Sequence, residues 1–190
     1  MIPTSFSPRA SRAPGVSPLA PEAEPRGESG SISYVVPMIE ADGPRPGQPA
    51  RTVLPATQAA VIPYRFRNGR AEILLVTSRT RSHWIVPKGN IGPGMLPHEA
   101  ARAEAFEEAG VLGTMSPHSF GRYHHGWNRR ASVVDVFLFR IDTVLGVWPE
   151  MHERSRRWAY ASEAADIAHP PGLARLLRRA AGVLSAASAE

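Results

Sequence analysis

Three glutamates, Glu104, Glu107 and Glu108, stand at i, i+3 and i+4 in the run E-A-F-E-E-A-G-V. On a helix this spacing turns their carboxylates toward one side. Like charges so placed repel by about 0.2–0.5 kcal/mol per pair unless a cation lies among them. A hard divalent ion answers that need, because carboxylate oxygens, a backbone carbonyl and water make the oxygen-only shell that Mg²⁺ or Mn²⁺ takes. The glycine-rich stretch just upstream could supply the carbonyl from Gly89. A solvated acidic helix face has the same composition, so the neighbouring elements must separate the two readings.

Those elements are legible. Trp84, Ile85 and Val86 read as an apolar strand end, followed by a loop containing Pro87, Gly89, Gly92, Pro93 and Gly94. A helix opens near Pro97, where the fixed φ of proline suits the first turn. Ala101, Ala105 and Ala109 form a stripe of small side chains that can lie flat on a sheet, and Gly110 is placed as a left-handed cap. The glutamate face is expected on the solvent side of this helix, away from the alanine stripe.

The spacing resembles the Nudix box, G-x5-E-x7-R-E-U-x-E-E-x-G-U with U apolar. Gly89 takes the first glycine, and Glu104, Ala105, Glu107, Glu108, Gly110 and Val111 take the second half. Two positions depart from the pattern. Met95 stands at the first glutamate and Ala103 at the arginine, with Arg102 about 100° round the helix from it. The flanking W-I-V-P and E-A-G-V resemble the branch of diphosphoinositol polyphosphate and diadenosine polyphosphate hydrolases. The resemblance implies an α/β/α sandwich with a mixed β-sheet over residues 53–190. It also implies a metal, Mg²⁺ or Mn²⁺, held by Gly89, Glu104, Glu107 and Glu108, with Glu107 or Glu104 as catalytic base and Glu107 preferred. In that family the box arginine orients the catalytic glutamates, so Ala103 also leaves open a binding protein that senses a nucleotide or an inositol phosphate without turnover.

Composition narrows the classes. The 190 residues contain no cysteine, which excludes disulfides, thiolate zinc sites and a cysteine nucleophile. No 18-residue apolar run and no signal-peptide pattern is present, so a cytoplasmic protein without a membrane span is expected. Residues 1–52 hold ten of the nineteen prolines with many Ser, Gly and Ala, the composition of a disordered arm. Its one apolar patch, Ile32 to Met38, is either an added edge strand or a sticky spot in that arm.

The net charge is +5, and Lys88 is the only lysine beside 21 arginines. Arginine forks bind phosphate in bidentate fashion, and no recognition-helix or basic-aromatic pattern points to nucleic acid, so a small anionic phosphate-containing substrate is expected. Candidate phosphate ligands lie in three segments besides Lys88: Ser78, Arg79 and Arg81 before Trp84; Arg129 and Arg130, near Trp127; and Arg156 in H-E-R-S-R-R-W. Spacing does not choose between Arg79 and Arg81. Glu153 with Arg154, Arg156 and Arg157 also reads as an exposed ion network.

The remaining elements follow from periodicity. Ala59 to Phe66 and Glu72 to Thr77 form a hairpin about Asn68-Gly69, with Pro63 as a fault or an edge in the first strand. Ser119 to Tyr123 and Ala131 to Ile141 read as strands, and so do Trp158 to Tyr160. Ser162 with Glu163 is expected to cap a helix, and Pro170-Pro171-Gly172 to precede a last one with Leu173, Leu176, Leu177 and Leu184 on its apolar side.

Overall fold

The chain is seen in a computed structural model that describes residues 54–125 and 132–188. The proline-rich arm with its Ile32 to Met38 patch, and Trp127, Arg129 and Arg130, lie outside the described residues. Eight strands build one sheet: β1 (Gln58–Arg67), β2 (Arg70–Thr77), β3 (Trp84–Ile85), β4 (Lys88–Asn90), β5 (Val111–Met115), β6 (Gly121–His125), β7 (Ser132–Val144) and β8 (Arg156–Tyr160). Helix α1 (Pro97–Ala109) lies between β4 and β5, while α2 (Ala161–Ile167) and α3 (Pro171–Ala187) close the chain. The path through the sheet is β3-β2-β1-β7-β5, with β4 added to β1, β6 to β7 and β8 to β2. Only β1 and β7 run parallel, so the sheet is mixed.

The Asn68-Gly69 turn has φ of 50° and 71°, the left-handed pair that joins twisted strands tightly. Pro63 lies in a central strand rather than at an edge. Val61 donates to Pro87 O at 3.1 Å, and pairing with β2 begins only at Tyr64. Pro63 points the same way as Val61, so its missing N–H falls at the seam where β1 leaves the β4 side and joins β2.

Alternation along β1 divides the core in two. Ala59 and Val61, with Leu74, Val76, Phe137 and Phe139, pack under Ala100, Ala101, Ala105 and Ala109 of α1. Ala60, Ile62 and Tyr64, with Ile73, Leu75, Val134 and Val136, face the alanines of α2 and Leu173, Leu176, Leu177 and Leu184 of α3. Each leucine so buried stabilises the fold by about 1.5–3 kcal/mol. The layers are therefore helix, sheet, helix, as expected. Among the described residues no helix is long and apolar enough to cross a membrane.

The expected Ser162 cap does not form. Helix α2 begins at Ala161 directly from β8, with Tyr160 at the cap position and no side-chain cap bond. The strand runs into the helix without the intervening residue that a serine cap needs.

Candidate active site

Helix α1 starts at Pro97, and the Glu99 carboxylate reaches back to accept the Leu96 N–H at 2.9 Å. Its end turns on Gly110 at φ 59°, and a Cβ there would press into Trp148. No basic residue stands in the last turn, and the segment after β7 supplies the partners instead. Glu150 N–H donates to Glu107 O at 3.1 Å, and Leu145 N–H donates to Gly110 O at 2.8 Å. Arg156 Nη1 donates to Ala109 O at 3.1 Å and to Leu145 O at 3.0 Å, while its guanidinium stacks 3.8 Å over Trp148. A cation at the carbonyl end of a helix meets the negative pole of its dipole.

The three glutamates do not share one environment. Glu107 is exposed, Glu104 half-buried and Glu108 buried. The expected solvent-side placement fails at Glu108, because that residue is seven positions after Ala101 and so falls on the stripe that faces the sheet. Its Oε1 accepts from Arg154 Nη2, and its Oε2 accepts the Lys88 N–H at 3.0 Å. Burial raises its pKa, and the Arg154 charge and the Lys88 hydrogen bond work against that rise. Glu104 lies against Gly89, where any Cβ would overlap its carboxylate. Burial first, then repulsion from Glu108, Glu107 and Glu150, pushes Glu104 up to about 7.

A fourth carboxylate, Glu150, thus joins the cluster. It accepts from Arg154 Nε at 2.8 Å and lies 3.9 Å from Arg79. Arg154 was expected in an exposed network but is buried, with Nη1 also donating to Thr77 O at 2.8 Å. The sequence marks Arg154 only as one arginine of a network and assigns no site role to Glu150. Spacing alone does not tell the inward arginine of R-S-R-R from its outward neighbours.

The phosphate candidates separate as well. The loop after β2 is closed by Ser78 N–H to His83 O at 2.8 Å and Arg81 N–H to Ser78 O at 2.7 Å, with Arg81 at φ 55°. Arg81 is tied to the carbonyls of His152 and Glu153. Arg79 stays 78% exposed at its side chain beside Glu150, and Ser78 Oγ sits 3.2 Å from Thr80 Oγ1 on the same loop. Lys88 is half-buried; burial pulls its ammonium down while Glu108 and Glu104 pull it up. Lys88, Arg79 and the glutamates therefore gather at one place, whereas Arg81 and Arg156 act as braces on backbone carbonyls. His124 and His125 alternate in exposure along β6, as adjacent strand residues must.

The donor set suits a hard divalent cation. It is oxygen-only, with four carboxylates set among Arg154, Arg79 and Lys88, and burial together with the neighbouring carboxylates drives Glu104 toward protonation. Among the described residues no three acidic or histidine side chains already form a ligating group. Glu104 and Glu107 would have to turn toward an ion to enclose it.

The NUDIX domain family model matches residues 56–180. Nudix hydrolase 21, chloroplastic, of Arabidopsis thaliana is 30% identical over 112 residues, which is 56% of this chain and 56% of that protein. Diphosphoinositol polyphosphate phosphohydrolase 3-beta of Bos taurus is 32% identical over 120 residues, 60% of this chain and 72% of the relative. This chain spans little more than half the length of the plant relatives. Among solved structures, the Ap4A hydrolase of C. elegans in a binary complex superposes with a TM-score of 0.60. Its identity is 24%, and the match covers 69% of this chain and 98% of the other.

Proposed function

This chain belongs to the Nudix family, and from that premise we propose that it hydrolyses a phosphorus anhydride bond with the help of Mg²⁺ or Mn²⁺. The substrate class is a diadenosine polyphosphate or a diphosphoinositol polyphosphate, or another nucleoside-diphosphate-linked compound. The observation that carries the reading is the gathering of Glu104, Glu107, Glu108 and Glu150 beside Lys88 and Arg79, at the joint of the glycine loop and helix α1. Glu104, Glu107 and Glu108, with the Gly89 carbonyl, are the groups to hold the cation. When bound, it would neutralise phosphate charge and bring the pKa of water toward neutrality.

The chain's own residues divide the rest. Glu108 has both oxygens engaged and Glu104 is wedged against Gly89, so Glu107, the exposed one of the three, is assigned the part of base in addition to its contact with the cation. Water attacks one phosphorus and forms a new P–O bond, the P–O bond to the bridging oxygen breaks so that this oxygen and its electron pair leave on the other phosphate, and the proton from water passes to Glu107. Lys88 and Arg79, on the loop of Ser78, hold the anionic chain by charge-assisted bonds. Arg129 and Arg130 are further candidates on the same substrate.

Rates on diadenosine polyphosphates, diphosphoinositol polyphosphates, ADP-ribose and a nucleoside triphosphate, each with Mg²⁺ and with Mn²⁺, test this. The longer polyphosphates should show the higher kcat/KM, with a gap that narrows as salt shortens the Debye length to about 8 Å. ADP-ribose or a triphosphate as the best substrate would overturn the substrate class. Met95 and Ala103, at two box positions, favour a second reading as a non-catalytic sensor of the same ligands. Tight binding with no turnover under either metal would select it.

A further inference from the structure

Glu108 and Arg154 are each 4% exposed and form an ion pair inside the protein. Three different nitrogens of Arg154 donate to three different segments: Nη2 to Glu108 on α1, Nε to Glu150 and Nη1 to Thr77 O at the end of β2. The remaining Glu108 oxygen accepts the Lys88 N–H from β4. The carboxylate is therefore held from two sides. Position 103, five residues back on α1, is alanine, and Arg102 beside it is exposed.

We propose that Arg154 is a positioning residue of the hydrolytic centre: it holds Glu108 in one orientation, and couples Glu150 to it, from a segment outside the loop and helix that carry the metal-site glutamates. The proposal rests on the reading of those glutamates as the centre. Partners of a ligating carboxylate fix the direction in which its free lone pairs point, and that direction sets how well a metal ion is held. An anchor for the fold alone would need only the Thr77 and Glu150 bonds. The bond to Glu108 ties the same guanidinium to the chemistry.

The test uses the full chain as wild type, Arg154→Lys, Arg154→Met, Glu108→Gln and the double variant Glu108→Gln/Arg154→Met. Folding is checked by thermal melts, and Mn²⁺ affinity is read without substrate from the EPR signal of the free ion. Arg154→Met should fold and bind Mn²⁺ about 10- to 100-fold more weakly, with Arg154→Lys in between. At saturating Mn²⁺, kcat on the best substrate should fall with KM little changed. In the Glu108→Gln background, Arg154→Met should weaken Mn²⁺ binding no further. A folded Arg154→Met with wild-type Mn²⁺ affinity and kcat would overturn the proposal, and so would an equal loss of affinity in both backgrounds. If Arg154→Met does not fold, Arg154→Lys decides, and wild-type affinity there overturns it. If the wild type hydrolyses nothing yet Arg154→Met still weakens Mn²⁺, the hydrolytic reading falls and the positioning of Glu108 stands.

Discussion

At the scale of residues, two adjacent glutamates have opposite surroundings and should answer mutation differently. Glu107 is exposed, so Glu107→Gln should leave the melting temperature almost unchanged and cut kcat by about 10²–10⁴, the usual worth of a general base. Glu108→Gln strips the charge from a buried pair and leaves Arg154 facing a neutral amide. It should cost about 3–5 kcal/mol of stability in addition to turnover. Melts and initial rates on both variants check this, and equal melting temperatures would refute the buried pair. Glu104 makes a pH prediction. Its pKa, 4.5 ordinarily, is pushed up to about 7 in the fold, so between these values the folded state holds a proton that the unfolded chain has released. Metal-free stability should therefore fall as pH rises through that window, and Glu104→Gln should flatten the slope. Mn²⁺ should restore more stability at about pH 8 than at about pH 5, because ion and proton compete for the cluster. Calorimetry with and without metal measures it.

At the scale of elements, the glycine loop and α1 act as one part. Gly89→Ala would drive a methyl group into the Glu104 carboxylate, so it should weaken Mn²⁺ binding while leaving the alanine-lined packing of α1 in place. A Gly89→Ala protein with unaltered Mn²⁺ affinity in an EPR titration would refute the close approach. This part was legible in the sequence because its signals are local: Pro97 at the start, Ala101, Ala105 and Ala109 along the buried side, Gly110 at the end, and the Asn68-Gly69 turn. What stayed hidden depends on partners far along the chain. Strands β3 and β4 have two and three residues, too few to show a period, and exist because β2 and β1 offer them an edge. Leu112 and Gly113 sit on a register shift that breaks the alternation of β5. The glutamate face was placed in solvent because i, i+3, i+4 spacing reports only which side chains share a side. Glu108 turns toward the sheet because it follows Ala101 by seven residues, but the partner that meets it there, Arg154, lies 46 residues further on and leaves no local signal.

At the scale of the whole molecule, residues 1–52 should be dispensable to the hydrolase. A segment of that composition is expected to bury little apolar surface, so deletion should shift neither the melting temperature nor kcat/KM by a measurable amount. A drop of many degrees on calorimetry would show that Ile32 to Met38 packs on the domain. The parallel pairing at the middle of the sheet has a consequence of another kind. Gln58 at the start of β1 pairs with Asn90 of β4 on one side and must wait for Val134 of β7 on the other, and Arg154 reaches back 77 residues to Thr77. As the chain leaves the ribosome, the hairpin of β1 and β2 forms early but keeps an open apolar edge until β7 emerges, and closing so long a loop makes folding slow. The bond that orients Glu108 forms later still. Strand β8, which follows Arg154, covers the outer edge of β2, so a nascent chain halted before Arg154 would still expose that second edge to other chains, and the segment that orients Glu108 in our proposal also shortens the period in which aggregation competes with folding.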